Sequence, residues 1–234
     1  MKILKFNDYR KVYYRALLEG KQTNLNKPFY IENLTDETAV LTLTQAGRPT
    51  SKSNGAIYIS NDGLSYTKWV KPMKEGSWTI NIEPKSKLYM ASDKQMSELG
   101  DEYGWTYKSI TVDKECAAHG DISWMLNYDN ISGKAETVYD LTGHDICFYK
   151  MFSGCKLLQS APELPATTLA SNCYEKMFSG CTNLTTAPEL PATRLARYCY
   201  SSMFQGCTSL QTAPELPATT LANGCYWSMF DGCI

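Results

Sequence analysis

Residues 199–224 read CYSSMFQGCTSLQTAPELPATTLANG, one copy of a repeat that decides the fold of the C-terminal part. Its Met-Phe-x-Gly-Cys motif occurs at 151–155, 177–181, 203–207 and 229–233, a spacing of 26 residues. Residues 173–198 match residues 199–224 at 18 of 26 positions. A fixed period of this length predicts a solenoid, in which each repeat buries its apolar face against its neighbours.

Within one repeat the apolar positions recur in steps of three residues: Phe178, Cys181, Leu184, Ala187 and Leu190. This spacing is too tight for a long helix and does not alternate, so we expect a coil with one inward residue per bend. Pro188 and Pro191 remove backbone donors and favour extended geometry, which predicts a short strand over Thr185–Leu190. Apolar residues at helical spacing predict one or two helical turns over Leu195–Phe204, ending at Gly206.

The repeat resembles the BspA-like class of leucine-rich repeat, found on surface proteins of Bacteroides-type gut bacteria and in proteins of their phages. That pattern, Ala-Phe-x-x-Cys-x-x-Leu-x-x-Ile-x-Ile-Pro, is matched here by Met203-Phe204-x-x-Cys207-x-x-Leu210-x-x-Ala213-Pro214-x-Leu216-Pro217. Met replaces Ala, Ala replaces Ile, and the period is longer than is usual in the class. The resemblance covers residues 147–234 and implies a leucine-rich-repeat solenoid with 26-residue turns.

Positions that change between otherwise matching repeats are expected to face solvent or a ligand, because the unchanged positions supply the core. They include Thr168/Arg194/Thr220, Asn172/Tyr198/Gly224 and Glu175/Ser201/Trp227. Arg194, Tyr198 and Trp227 are our candidates for partner binding, since aromatic residues and arginine dominate binding hot spots. The alternative is that they form a plain solvated surface.

Eight of the nine cysteines follow the repeat, in two series of period 26: Cys147, Cys173, Cys199 and Cys225, and Cys155, Cys181, Cys207 and Cys233. We expect two ladders of buried free thiols, because cysteine packs as a small hydrophobe. Disulfides between adjacent repeats are the alternative, since stacked strands lie about 4.8 Å apart. Cys116-x-x-His119 and His144-x-x-Cys147 have the spacing of zinc ligands. The ladder already accounts for Cys147, so we expect no metal site.

The N-terminal segment, residues 1–27, is predicted to hold an amphipathic helix over Asn7–Glu19. Its apolar face consists of Tyr9, Val12, Tyr13, Ala16 and Leu17. Such a short helix needs a docking surface to be stable. We consider two roles equally, packing on its own domain and anchoring to another protein.

Residues 28–113 are predicted to form an immunoglobulin-like β-sandwich, because short alternating segments recur between turn signals. The segments are Phe29–Asn33, Ala39–Thr44, Ala56–Ser60, Leu64–Val70, Ser77–Ile82, Lys87–Met90 and Ser109–Val112. Asn61-Asp62-Gly63 predicts a hairpin. Residues 114–146 are a connecting segment that we expect to cover the first repeat, with Trp124 and Met125 as the apolar cover.

The composition is that of an ordinary globular protein, with a formal net charge of −1 that does not favour nucleic-acid binding. Neither a membrane-spanning stretch nor a secretory signal is evident. Phosphate-binding, dinucleotide-binding and hydrolase motifs are also missing, so we expect no enzyme, no cofactor and no catalytic residue. Glu163, Glu189 and Glu215 recur in register and are interpreted as a solvated strip rather than a cation site.

These observations favour a non-enzymatic, mainly β binding protein. We expect a bacteriophage virion protein, a fibre, decoration or receptor-binding component anchored through its N-terminal region. Its expected partners are other virion proteins or a cell-surface receptor, without membrane insertion, and fibre-like proteins favour a homo-oligomer such as a trimer. The alternative is a bacterial cell-surface adhesin that binds host protein or glycan.

Overall fold

The computed structural model describes residues 27–47, 55–72, 74–99, 105–129 and 135–234. The chain is mainly β, and its strands form two antiparallel sheets. The repeat region, residues 147–234, follows them. The helix predicted over Asn7–Glu19, with Tyr9, Val12, Tyr13, Ala16 and Leu17, lies outside the described residues. Within the described ranges, no helix is long and apolar enough to cross a membrane.

The strands are β1 (Tyr30–Asn33), β2 (Ala39–Ala46), β3 (Ile57–Ser60), β4 (Thr67–Val70), β5 (Gly76–Ile82), β6 (Lys87–Ser92), β7 (Ser97–Leu99), β8 (Trp105–Val112) and β9 (Cys116–His119). One sheet has the order β4-β3-β6-β1-β9, and the other has the order β5-β2-β8-β7. All seven predicted strands are present, whereas β7 and β9 were not predicted. A short 3-10 helix over Ile122–Met125 follows β9.

The alternation that predicted the strands places their apolar residues in one core. In β2, Leu41 and Leu43 are fully buried while Val40 and Thr42 are partly exposed. Inward residues of both sheets belong to the same hydrophobic cluster. The predicted hairpin between β3 and β4 is also present, where a side-chain oxygen of Asp62 accepts the amides of Leu64 and Ser65 at 2.8 and 2.9 Å.

Backbone hydrogen bonding in the repeat region alternates along the chain. The amides of Phe148, Lys150 and Phe152 donate to carbonyls 25 residues later, at 2.9, 3.1 and 2.9 Å. The amides between them, of Tyr149 and Met151, donate to carbonyls three residues earlier. Residues 146–154 and their equivalents in later repeats are therefore a run of overlapping β-turns that is joined to the next repeat by every second amide.

Left-handed backbone recurs at every fourth residue of these turns. The φ angle is 55° at Lys150 and Lys176, 52° at Ser202 and 50° at Ser228, and glycine fills the position four residues later. An amide that donates to the carbonyl three residues earlier closes a four-residue turn. The turn is of type II when the third of its four residues has a positive φ angle.

Two predictions for the repeat are therefore wrong. Leu195–Phe204 is not helical, because Tyr198 and Ser202 are left-handed and the amides of Tyr200 and Phe204 donate to the next repeat. A continuous strand over Thr185–Leu190 is also missing. In its place the backbone makes an isolated parallel bridge between Ser160 and Thr186.

Aromatic rings stack from repeat to repeat in two columns. One contains Phe152, Phe178, Phe204 and Phe230, with successive centroids 5.5, 5.8 and 5.7 Å apart. The other contains Phe148, Tyr174, Tyr200 and Tyr226, with successive centroids 5.6, 5.8 and 5.8 Å apart. Neighbouring rings are nearly parallel, as the strict 26-residue period requires.

Both sheets continue into the first repeat. In β9 the amide of Ala118 donates to the carbonyl of Ser160 at 3.0 Å, and in β8 the amide of Ile110 donates to the carbonyl of Met151 at 2.7 Å. The ring centroids of Phe29 and Phe152 lie 6.2 Å apart, and residues of the sheets and of the repeats belong to one hydrophobic cluster. The core is therefore continuous between the sheets and the repeats.

The connecting segment 114–146 contributes β9 and the 3-10 helix to this junction. Trp124 and Met125 are buried, but the ring contacts of Trp124 are with Tyr66 and Tyr128, at 5.4 and 5.7 Å. Aromatic contacts between the sheet region and the repeats come from Phe29 with Phe152 and from Tyr107 of β8 with Tyr149, with ring centroids 6.2 and 5.5 Å apart.

Ser201 and Ser202 allow a test of the turn geometry, because they are adjacent, both buried, and differ in the sign of φ. Ser202→Gly is expected to stabilise the protein by up to about 1 kcal/mol, because a left-handed non-glycine residue costs about 1–2 kcal/mol. Ser201→Gly is expected to destabilise it by about 1 kcal/mol. Urea unfolding gives both free energies, and equal effects of the two substitutions would contradict the turn assignment.

Candidate partner-binding surface

We number the repeats 1 to 4 from Cys147, Cys173, Cys199 and Cys225. Some residues that vary between repeats form an aromatic cluster on repeats 2 to 4, whereas Glu175 and Ser201, which hold the position of Trp227 in repeats 2 and 3, are buried and do not face solvent as predicted. The rings of Tyr198 and Trp227 lie 6.0 Å apart at an angle of 41°. The guanidinium carbon of Arg197 lies 4.9 Å from the centre of the Tyr198 ring, within the range of a cation–π interaction. Trp227 is 66% exposed and Arg197 is also exposed. We call Arg197, Tyr198 and Trp227 the aromatic cluster.

The backbone of the repeat positions Tyr198. This residue has a φ of 53°, and the equivalent position one repeat later is Gly224. A Cβ atom on Gly224 would lie 2.0 Å from the ring of Tyr198, so the ring lies against the glycine backbone. The exchange of Tyr198 for Gly224 at one repeat position therefore makes room for the ring.

Arg194, a predicted partner-binding residue, lies elsewhere on the repeat. Its backbone bridges Thr168, and its carbonyl accepts the amide of Leu169 at 2.9 Å. Hydrogen bonds from Thr142 and the nearby charge of Arg194 lower the pKa of Asp140. Arg194 thus contributes to a polar row with Asp140 and Thr168. The cation of the aromatic cluster is Arg197.

Sequence comparison between the repeats could have found Arg197. Its equivalents are Ser171 and Asn223, so the position varies as much as those that were chosen. Arg197 is a variable arginine next to the variable Tyr198, and this is the same kind of sequence signal that led to the choice of Arg194.

All nine cysteines are free thiols, and eight of them are buried. The thiols of Cys181, Cys207 and Cys233 each donate to the carbonyl of a phenylalanine in the preceding repeat, at 3.1 Å. Cys116 of β9 extends this ladder: its thiol donates to the carbonyl of Leu157 at 3.9 Å, and the neighbouring thiol of Cys155 together with burial raises the pKa of Cys116.

Burial disfavours the thiolate at Cys173, Cys199 and Cys207, whereas the neighbouring thiol of Cys116 lowers the pKa of Cys155. Burial raises the pKa of Cys199 to about 11 and that of Cys207 to about 12, and it raises the pKa of Cys173 well above the usual value. Since the thiolate is the nucleophile, these cysteines are suited to packing.

The two histidines of the zinc-like spacing are engaged with other groups. His119 lies 3.3 Å from Glu32 and stacks on Tyr30, and burial lowers its pKa. His144 lies 3.4 Å from Gln95. Among the described residues, no three His, Cys, Asp or Glu side chains are grouped so that they could hold a metal ion. In the glutamate row, Glu163 forms an ion pair with Lys27 at 2.6 Å.

A groove of about 610 Å³ beside β5 and β6 is a second candidate binding site. Apolar side chains of Ile59, Ile80 and Leu88 line it together with the polar Asn61 and Lys87. Its volume is suited to a small molecule. The aromatic cluster is the stronger candidate for a macromolecular partner, because Trp227 and Arg197 are exposed beside the partly exposed Tyr198.

Comparison with known proteins finds no matching family model, no matching curated protein and no matching solved structure.

Thiol labelling tests the burial of the ladders. At pH 8 we expect iodoacetamide to modify Cys233, the half-buried cysteine, first. The buried cysteines should react roughly 100-fold more slowly than a free thiol, because reaction requires local opening and a raised pKa suppresses the thiolate. Mass spectrometry of peptides gives the rate at each site. Rapid labelling of Cys181 would contradict the buried ladder, and labelling in urea provides the control.

Proposed function

We propose that residues 147–234 form a BspA-like leucine-rich-repeat solenoid and that residues 28–113 form an immunoglobulin-like β-sandwich. The inter-repeat hydrogen bonds and the two ring columns support the solenoid. Two antiparallel sheets that share one core support the sandwich. The connecting residues 114–146 then belong to the junction that seals the first repeat.

The proposed function is that of a non-enzymatic bacteriophage virion component that binds a partner through its solenoid. One observation carries this proposal: the aromatic cluster presents Trp227 and Arg197 to solvent on a scaffold whose core runs unbroken from the sheets through the repeats. A partner meets side chains that are held in place by the stacked repeats beneath them. Little ordering is then needed on binding, and pre-organisation of this kind favours affinity.

The groups available for chemistry support binding rather than catalysis. Burial raises the pKa of the ladder thiols, and it lowers the pKa of His119. The side chain of His119, on β9 at the end of the five-stranded sheet, lies 3.3 Å from the carboxylate of Glu32 on β1. None of these groups belongs to the aromatic cluster, whose members suit recognition.

Anchoring through residues 1–27, assembly with other virion proteins and a trimeric state are proposed from the sequence alone. Light scattering of the full chain and of a variant without residues 1–27 tests them. We expect an oligomer that becomes a monomer on deletion, and a monomer in both cases would contradict the anchoring role.

Binding of fluorescently labelled protein to intact gut bacteria tests the proposed function. We expect saturable binding to a subset of strains, weakened at least about 30-fold by Trp227→Ala or Tyr198→Ala, because hot-spot truncations cost about 2 kcal/mol or more. Arg194→Ala should have less than about a threefold effect, since Arg194 lies outside the aromatic cluster.

Immobilised mucin and extracellular-matrix protein provide the opposing arm of this experiment. Binding to them in place of bacteria would contradict the virion proposal and favour a bacterial cell-surface adhesin. Thr79→Ala, on the exposed face of β5, controls for labelling and folding.

A further inference from the structure

Three tight connections match the strands of the two sheets. The turns that join β1 to β2, β5 to β6 and β8 to β9 lie side by side, because the amide of Lys85 donates to Thr35 at 3.1 Å and the amide of Leu34 donates to Glu115 at 2.9 Å. In the proposed β-sandwich, the order β6-β1-β9 of one sheet therefore lies opposite the order β5-β2-β8 of the other. Among the described strands, none is left to lie opposite β3 and β4.

The inner face of β3 and β4 is apolar. Ile59 of β3 lies opposite the buried Met90, and Val70 of β4 lies opposite the buried Ile57, so both side chains point inward. Ile59 and Val70 are only partly buried, as is Ile80 of β5. The groove of about 610 Å³ lies here, since Ile59 and Ile80 both line it. The sandwich is therefore open where β3 and β4 extend past β5.

The free edge of β5 presents backbone groups at alternate residues. The carbonyl of Val40 accepts the amide of Asp113 at 3.2 Å, so Val40 faces β8 and the next residue, Leu41, faces β5. Leu41 lies opposite Ile80, and the two form a hydrogen-bonded pair. The residues of β5 whose amides face away from β2 are Ser77, Thr79 and Asn81.

The sequence of β5 does not protect this edge. Natural edge strands are blocked by charged residues, by proline or by a covering segment. β5 has seven residues without a charge or a proline, and its three outward amides donate to no group among the described residues. By contrast, β9 is covered by the first repeat, and β7 has only three residues. β5 is therefore suited to pairing with another strand.

We propose that two copies of this chain associate about a two-fold axis parallel to the strands, so that β5 of each copy pairs with β4 of the other. The proposal rests on the β-sandwich proposed above. The two strands that extend past β5 in one copy then lie opposite the same two strands of its partner. Each copy thus fills the open part of the other, and the partly buried Ile59 and Val70 become core residues.

The strand directions agree with this pairing. β4 and β6 are parallel, because each is antiparallel to β3. β5 runs opposite to β6, since a tight turn joins them across the sandwich, so β5 and β4 are antiparallel. A two-fold axis parallel to the strands preserves these directions. Pairing of β5 with β5 is excluded, because it would place the partner's β6 in the position of β3.

Sedimentation equilibrium of the full chain tests the pairing. The mean mass should at least double between about 1 µM and about 500 µM, because contacts through the four-residue strand β4 make a small and therefore weak interface. At the low end of this range the pair is dissociated, so the mass there reports only assembly through residues 1–27. A mass that does not rise with concentration would overturn the proposal.

A matched pair of variants isolates the edge amide. Thr79→Ala and Thr79→Pro both remove the threonine side chain, but only proline removes the amide. Since this amide faces the free edge, Thr79→Pro should still fold, which circular dichroism checks. We expect Thr79→Pro to associate at least about tenfold more weakly than Thr79→Ala, because a ladder hydrogen bond is lost. Equal association of the two variants would contradict the pairing.

Amide hydrogen exchange in the unaltered chain gives an independent test. The amides of Thr79 and Asn81 should exchange at least about tenfold more slowly at about 500 µM than at about 5 µM, because pairing protects them. The amide of Ile80, which donates to β2, should be protected at both concentrations. Slow exchange at Ile80 with unchanged exchange at Thr79 would overturn the pairing alone. Rapid exchange at Ile80 would contradict the sheet on which both proposals depend.

Discussion

Over residues 146–154, and over the equivalent residues 172–180 and 198–206, every second amide donates to a carbonyl 25 residues later, and the rest of the structure depends on this bond. The remaining amides of these stretches close local turns, and the two bond types occur together with a left-handed residue at every fourth position. A single inserted residue would move all later donors out of register. The strict 26-residue period of the sequence therefore follows from a backbone constraint, and the side chains repeat with the same period.

The cysteines show how side chains use this constraint. The carbonyl of Phe152 accepts the amide of Cys155 at 3.0 Å from its own repeat and the thiol of Cys181 at 3.1 Å from the next. An alanine at the same position would fill less space and would not donate. The thiol thus combines apolar packing with a weak donor, and its burial keeps it protonated. Cys116 continues the ladder into β9, so the same buried thiol packing joins the sheets to the repeats.

The sequence predicted those parts whose signal is periodic. Alternation located seven strands, and the 26-residue period predicted two cysteine series that are buried as free thiols. The helical interpretation of Leu195–Phe204 failed because left-handed Tyr198 and Ser202 carry no compositional mark, as glycine would. The strand β9 was not recognised because Cys116, Ala117 and Ala118 are all buried, so its residues show no alternation. The adjacency of Tyr198 and Trp227 was not predicted, and Arg197 rather than Arg194 lies beside Tyr198, because the direction of a side chain depends on backbone turns that the pattern does not reveal.

Residue-resolved amide hydrogen exchange by NMR tests the alternating hydrogen bonds most directly. In repeat 2, the amides of Tyr174 and Phe178, which donate to repeat 3, and those of Glu175 and Met177, which close local turns, are all expected to be protected. In repeat 4, only the local amides of Trp227, Met229 and Asp231 are expected to be protected, while those of Tyr226, Ser228 and Phe230 exchange rapidly. Uniform protection along repeat 4, or rapid exchange at Tyr174 and Phe178, would contradict the alternating ladder.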